Sequence, residues 1–198
     1  MDYQDALNRE FFRPFATLVA PGATLIAPFC LVALHYYPDL SDLWKASSGS
    51  ALLALTVLTV AAGLVLEDIG ARIEMLWDRK IEYKDGTHKS TWESYLRLVY
   101  DPGHEPIGQH YLRSIVLRLK FELGFSVALF LSWFGWLWLH IATETFTSCF
   151  FVLASLLWMT STVYLCWESY TSSWHLHRLR HLLLKDESSP ASGQESEL

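Results

Sequence analysis

The sequence lacks the short motifs that mark the common enzyme classes. Its 198 residues contain no GxSxG nucleophile elbow, no P-loop, no GxGxxG dinucleotide motif and no CxxC pair. These absences argue against a serine hydrolase, a nucleotide-binding enzyme and a thiol-redox protein. Cysteine is scarce as well, and Cys30, Cys149 and Cys166 have no paired spacing. We therefore expect three small hydrophobic side chains and no disulfide framework.

Charge is absent from four long stretches of the chain. The uncharged stretches are residues 14–38, 46–66, 123–143 and 145–167, each of at least 21 residues. A helix of roughly 20 apolar residues crosses about 30 Å of hydrocarbon. A water-soluble helix of that length would carry charge on its solvent face. We therefore predict an all-α integral membrane protein with four transmembrane helices, at about 17–37, 46–66, 121–142 and 146–168.

The first stretch also lacks the features of a cleavable secretion signal. Its start, MDYQDALNREFFRPF, has no basic n-region, and no small-x-small cleavage site precedes a soluble domain. Pro14, Pro21 and Pro28 are seven residues apart and line one side of the helix. We expect Pro21-Gly22 to kink it, because proline removes a backbone donor. A static bend that improves packing is the favoured role, and a gate or hinge is the alternative.

The basic residues are distributed unevenly between the predicted loops. Of the 15 Lys and Arg, nine lie between the second and third spans, whereas the two outer loops hold only Lys45. The positive-inside rule then places both termini and the segment 68–120 in the cytoplasm. The formal net charge of −6 does not enter this argument, because acidic residues contribute little to orientation.

The segment 68–120 is the only sizeable region predicted outside the membrane. Span two is expected to continue as a helix through EDIGARIEMLWDRK to a turn at KDG, and YLRSIVLRLKFELGF should run directly into span three. Between them, Ser90 and Glu93 form a predicted capping box that opens a short amphipathic helix. About fifty residues are too few for an independent catalytic domain, so we predict a small helical cytoplasmic cap. Residues 1–185 then form one bundle, and 186–198 form an acidic, disordered tail.

Small residues are frequent in span two, which carries SSGSA at its outer end and Ala61-Ala62-Gly63 nearer its inner end. Small side chains allow transmembrane helices to approach closely. We therefore expect span two to be the most protein-buried of the four. Spans three and four should form a hairpin, with Trp133, Trp136 and Trp138 near its outer end as an interfacial aromatic belt.

Ionisable residues from several helices gather at the predicted inner boundary. The candidates for a functional polar network are Glu67, Asp68, Arg72, Arg118 and Glu122. Charges at the edge of hydrocarbon are costly unless they are paired or hydrated. The network could form a vestibule for an ion, a lipid head group or a cytoplasmic partner. Salt bridges between helices, with side chains that snorkel to the head groups, are the favoured interpretation.

The sequence WHLHRLRHLLLK after span four places His177 and His181 one helical turn apart, with His175 nearby. Two histidines are too few for a zinc site, which usually has three or four protein ligands. We therefore expect no metal and no cofactor. The favoured interpretation is a basic amphipathic helix on anionic head groups, with four leucines inserted into the lipid. Those leucines are Leu176, Leu179, Leu183 and Leu184.

These patterns favour a non-enzymatic role. We predict a small multi-pass membrane subunit that forms homo-oligomers and acts as a conduit or as an anchor or sensor for a cytoplasmic protein, with no nucleic-acid partner. The alternative is a membrane-embedded enzyme that acts on a lipid or prenyl substrate through the boundary carboxylates. A bacterial inner membrane is the expected location. Small membrane components of bacterial stress or antiviral defence systems offer a fold-level analogy.

Overall fold

The protein is helical throughout the part of the chain that a computed structural model describes. The described residues are 15–86, 90, 93–94, 107–143 and 148–187, and none of them lies in a β-strand. The described part of the chain starts with a single π-helical turn, Phe15–Val19. The α-helices that follow are α1 (Ala20–Tyr36), α2 (Asp39–Ala46), α3 (Ser48–Asp85), α4 (Ile107–Thr143) and α5 (Ser148–Glu187).

Three of the helices are long and apolar enough to cross a membrane by length and composition. They comprise Thr17–Tyr36, Ser48–Lys84 and Cys149–Leu184. These three overlap most of the predicted spans one, two and four. The predicted third span, about 121–142, lies within α4 and is helical along its whole length, but it is not one of the three. Its crossing of the membrane stays a prediction.

The long helices extend well beyond the length that a bilayer requires. α3, α4 and α5 have 38, 37 and 40 residues, or about 55–60 Å at roughly 1.5 Å per residue. Hydrocarbon accounts for about half of that length. The predicted continuation of span two through EDIGARIEMLWDRK is confirmed, and so is the direct entry of YLRSIVLRLKFELGF into span three. The expected turn at KDG is present too, because α3 ends at Asp85 and Gly86 has φ 67°.

The four long helices alternate in direction, as their contacts show. Gly22 of α1 packs against Thr59 of α3, and Leu18 packs against Gly63, so these two helices are antiparallel. α4 runs parallel to α1, because Gly124 faces Pro21 and Gly135 faces Pro28. α5 returns antiparallel to α4, since Trp158 bonds to the carbonyl of Leu129 and Ser172 to Glu122.

α1 packs between α3 and α4, and its prolines lie at the α4 contact. A π-helical turn precedes Pro21, and the kink expected at Pro21-Gly22 stays a prediction. Pro21 and Pro28 are among the most buried side chains. A prolyl ring that packs on a glycine of the neighbouring helix has a structural role, which supports the static bend over the hinge. Pro14 lies outside the described residues.

α4 is the most enclosed helix, and the expectation that span two would be the most buried is wrong. Only 17% of the most apolar window of α3 is buried, against 33% for the first span. Within the predicted span, α3 makes its close contacts at Thr59 and Gly63, which lie one helical turn apart. These contacts occupy one narrow strip that faces α1. Several leucines and valines of the span remain exposed, for example Leu53 and Val57.

Near the predicted inner ends of the spans, α3, α4 and α5 share an apolar core, and this core coincides with the predicted cap. Its buried residues are Leu112, Ile115, Leu119, Leu123 and Leu176, with Ile73, Trp77, Leu179 and Leu183 packed against them. The cap is therefore built largely from extensions of the transmembrane helices. The expectation that the leucines after span four would insert into lipid is wrong for Leu176, Leu179 and Leu183, because these residues pack on α4 and α3.

Other predictions fall where little or nothing is described. Ser90, Glu93 and Ser94 are helical, but most of the predicted amphipathic helix around them lies outside the described residues. The same holds for the outer connection 144–147 and for residues 188–198 of the predicted tail. α5 continues through residues 186 and 187.

Candidate functional site

Three helices bring charged residues together at the predicted inner end of the spans. α3 contributes Glu67, α4 contributes Arg118, Lys120 and Glu122, and α5 contributes Glu168. Arg118 and Glu122 share a face of α4 because they are four residues apart. The three helices pass close to one another here, so the side chains reach across the gaps.

Arg118 is at the centre of this network. Its Nε–H donates to Glu122 Oε1 at 2.6 Å, and Nη2 donates to Glu168 Oε1 on α5. A guanidinium has five N–H donors in a fixed planar arrangement, so it can hold two carboxylates at once. Arg118 therefore links α4 to α5 and neutralises one of the two negative charges beside it.

Glu122 is the most deeply buried charged group of the network, with only 4% of its side chain exposed. Its second oxygen, Oε2, accepts a hydrogen bond from Ser172 Oγ at 2.9 Å. Both oxygens of the carboxylate are thus occupied. A buried charge is tolerated when a partner and hydrogen bonds replace its hydration. A carboxylate that is fully engaged in this way is poorly placed to act as a general base.

The Glu67–Lys120 pair ties α3 to the same boundary. Lys120 Nζ lies 3.3 Å from Glu67 Oε1, and both side chains are about one-third exposed. Asp68 and Arg72 form a separate pair on α3 at 3.1 Å, and both are well exposed. The structure therefore places the five predicted residues in three groups: Glu122 with Arg118, Glu67 with Lys120, and Asp68 with Arg72.

Ser172 is a network residue that the sequence analysis missed. It lies four residues after Glu168, so both point from the same face of α5. That spacing was the available signal, but a serine at the end of a span has many ordinary roles. Its contact with Glu122 depends on the pairing of α4 with α5, which no local pattern specifies.

A second polar cluster lies deeper in the cap, where α3 crosses α5. Ser173 Oγ–H donates to Asp78 Oδ1 at 3.4 Å, and the rings of Trp77 and Tyr170 meet at 5.3 Å. Burial raises the pKa of the Glu74 carboxyl above its ordinary value of 4.5, and the nearby Asp78 carboxylate raises it further. Glu74 lies two helical turns beyond the predicted span, on the cap side.

The histidines do not form a metal site among the residues that the structure describes, where no group of three or more His, Cys, Asp or Glu side chains could hold an ion. His177 is buried in the cap, whereas His175 and His181 are exposed. The two histidines that are one turn apart thus lie in different environments.

An apolar groove of about 570 Å³ opens between α4 and α5, facing outwards from the bundle. Phe125 and Leu129 line it from α4, and Leu157, Ser161 and Tyr164 line it from α5. Phe125 lies three residues after Glu122 on α4, and Tyr164 lies four residues before Glu168 on α5, so each groove residue is one helical turn from a network residue. The groove and the charged network are therefore neighbours.

Comparison with known protein families, characterised proteins and solved structures finds no match.

Proposed function

We propose that the chain is a non-enzymatic membrane subunit with four spans and both termini in the cytoplasm. It assembles with further copies of itself and uses its cap to anchor a cytoplasmic protein. The alternating directions of α1, α3, α4 and α5 support this topology, because four alternating crossings return the chain to its starting side. The compact design is the reason for placing it in a bacterial inner membrane, where the analogy with stress or antiviral defence components applies.

The observation that carries the proposal is the pairing of the boundary charges between helices. Arg118 neutralises one of the two carboxylates that it holds, Lys120 neutralises Glu67, and both oxygens of Glu122 are engaged. An acid–base site would need a carboxylate available to a substrate. Paired charges instead fix the helices relative to one another, so that the spans and the cap form one rigid unit.

The exposed face of α3 supports assembly with further copies. Ala54, Leu58, Ala61 and Val65 follow one another at helical spacing and are all exposed. Two alanines seven residues apart allow a second helix to approach closely in lipid. Two cavities lie between α4 and α5, and both are lined mainly by apolar side chains. A conduit for polar solutes would therefore have to run between copies.

Mass measurement of the purified protein in detergent tests the assembly. We expect the mass of two or more copies of the 22.7 kDa chain. Ala61→Leu should weaken the assembly about tenfold, or about 1.4 kcal/mol, because the larger side chain separates the helices. Ala27→Leu, at an exposed alanine of α1, is the matched control and should leave the mass unchanged. A strict monomer at all concentrations would contradict the proposal.

One observation favours the alternative of an enzyme that acts on a lipid or prenyl substrate. Glu122 and Glu168 converge on Arg118 beside a groove that opens laterally. Incubation with bilayer lipids and prenyl phosphates, followed by mass spectrometry of the lipids, tests it. Turnover that Glu122→Gln and Glu168→Gln each abolish, with unchanged melting temperature, would establish the enzyme and overturn the anchoring role.

A further inference from the structure

The groove between α4 and α5 continues into the charged network along one face of α4. Arg118, Glu122, Phe125 and Leu129 are separated by four, three and four residues. This spacing keeps all four on one side of a helix. The first two belong to the ionic network, and the last two line the groove. A molecule that lies along this face would meet charge at one end and hydrocarbon at the other.

α5 presents the matching face. Leu157, Ser161, Tyr164 and Glu168 have the same four, three and four spacing. The first three line the groove, and Glu168 accepts a hydrogen bond from Arg118. The two faces therefore border one elongated site of amphipathic character.

The interior of the groove offers almost no hydrogen-bonding capacity to a ligand. Thr160 and Ser161 donate their hydroxyl hydrogens to carbonyls one turn earlier in α5, at 2.7 and 2.9 Å. Trp158 Nε1 donates to the carbonyl of Leu129 at 2.8 Å. The donors of these three residues are engaged, so apart from the Tyr164 hydroxyl the groove favours a hydrocarbon chain over a polar ligand. Its volume lies within the range of about 300–1,000 Å³ that is usual for ligand sites.

The charged end carries both signs and a net negative charge. Arg118 is positive, and Glu122 and Glu168 are negative, which gives a sum of −1. The Arg118 side chain is 58% exposed, and two of its five N–H groups are used in the contacts with Glu122 and Glu168. The other N–H groups suit a phosphate, and Glu168 suits an ammonium group. A head group with an overall negative charge would be repelled.

We propose that this site binds one zwitterionic phospholipid of the phosphatidylethanolamine class. An acyl chain lies along the groove, the phosphate contacts Arg118, and the ammonium group contacts Glu168. The inference rests on the proposed placement of α4 and α5 in the bilayer. The lipid joins the two helices and is not chemically changed.

Native mass spectrometry of the full chain, purified and stripped of lipid in detergent, tests this site. Phosphatidylethanolamine and phosphatidylglycerol with identical acyl chains are titrated in competition. We expect one phosphatidylethanolamine to be retained per chain, with a preference of about tenfold, equivalent to about 1.4 kcal/mol. Glu168→Gln should reduce or reverse this preference, because it removes the charge that attracts ammonium and repels phosphatidylglycerol.

A second pair of variants tests the groove itself. Ser161→Phe fills the groove and should lower retention about tenfold. Val163→Phe places the same ring on an exposed position of α5 that does not line the groove, and should retain lipid as the natural chain does. The proposal would be overturned if these two variants retained the lipid equally, or if the natural chain retained the two lipids equally. The same spectra report the oligomeric state, so a monomer that keeps its lipid would contradict the proposed assembly alone.

Discussion

Glu122 is the residue on which the inner boundary depends most. It is nearly inaccessible to solvent and receives hydrogen bonds from two helices, through Arg118 at 2.6 Å and Ser172 at 2.9 Å. When one member of a buried ion pair is removed, its former partners lose hydrogen bonds that nothing replaces. Arg118 keeps its contact with Glu168 and is largely exposed, so replacement of Glu122 costs less stability than the loss of a fully buried ion pair.

We therefore expect Glu122→Ala to lower the free energy of unfolding by about 1–3 kcal/mol. Glu122→Gln should cost less, because the amide oxygen can still accept a hydrogen bond. Thermal unfolding in detergent, followed by tryptophan fluorescence, measures both. Asp68→Ala is the control, since an exposed ion pair contributes at most about 1 kcal/mol. If the two alanine variants melted at the same temperature, Glu122 would have no special structural role.

Glu74 gives the protein a predictable dependence on pH. Burial is the largest cause of its raised pKa, and Asp78 adds to the effect. The folded protein therefore holds the Glu74 proton more tightly than the unfolded chain. Protonation of Glu74 therefore stabilises the folded state. This stabilisation is complete below the ordinary pKa of 4.5 and is lost as pH rises through the higher pKa of the folded state.

Glu74→Gln should remove this loss of stability with rising pH, because glutamine does not titrate. Melting temperatures of the natural chain and the variant, measured in steps from pH 4 upwards, should diverge as the pH increases, with the variant the more stable. Parallel curves for the natural chain and Glu74→Gln would contradict the predicted effect.

At the scale of the helices, the α1–α3 contact depends on glycine. A Cβ atom at Gly22 would lie 2.0 Å from the Thr59 carbonyl oxygen, and one at Gly63 would lie 2.2 Å from that of Leu18. Backbone atoms of both helices occupy these positions, so no side-chain rotation can relieve the overlap. The two helices would have to separate, and their remaining contacts would be lost with them.

Gly22→Ala should consequently destabilise the protein by about 1–3 kcal/mol or more, as overpacking does. Gly49→Ala is a matched control in the first turn of α3, where a Cβ would meet nothing within 4 Å. This variant should be neutral or slightly stabilising, because alanine favours the helix. Unfolding in detergent compares the two. An equally stable Gly22→Ala variant would show that α1 and α3 are less closely packed than described.

The sequence predicted the lengths of the helices better than their neighbours. Uncharged stretches located three helices suited to membrane crossing, and glycine in KDG located the end of α3. The burial of α3 was overestimated, because Ala and Gly in a sequence show where close approach is possible and not how much of a helix it covers. The leucines after span four have the same spacing whether they face lipid or α4, so their place in the cap depended on tertiary contacts.

The candidate site followed the same pattern. The positions of Glu67, Arg118 and Glu122 near the membrane boundary were evident from where the charges resume. Their partners were only partly foreseeable. The Arg118–Glu122 and Asp68–Arg72 pairs are local and follow from a four-residue spacing. The contacts with Glu168, Ser172 and Lys120 connect different helices, and they depend on how those helices are paired.

At the scale of the whole molecule, the spans and the cap share continuous helices. Leu119 and Leu123 of α4 are buried in the cap core, directly beside Arg118 and Glu122 in the sequence. A displacement of α4 or α5 within the membrane would therefore move the cap that carries the proposed partner site. Such direct coupling requires both ends of this hairpin to be on the same side of the membrane, which is a testable property of the fold.

Topology reporters distinguish four crossings from three. If α4 crosses together with α1, α3 and α5, fusions after residue 86 and after residue 198 should both report the cytoplasm, and an insertion at residue 145 should report the outside. If α4 did not cross, the same N-terminal orientation would carry α5 outwards, and the reporter after residue 198 would appear outside. We expect the four-crossing result, because residues 123–143 carry no charged side chain and only a crossing places the paired Arg118 and Glu168 at one boundary. A cytoplasmic reporter at residue 145 together with an external one at residue 198 would refute the four-span arrangement and the anchoring role built on it.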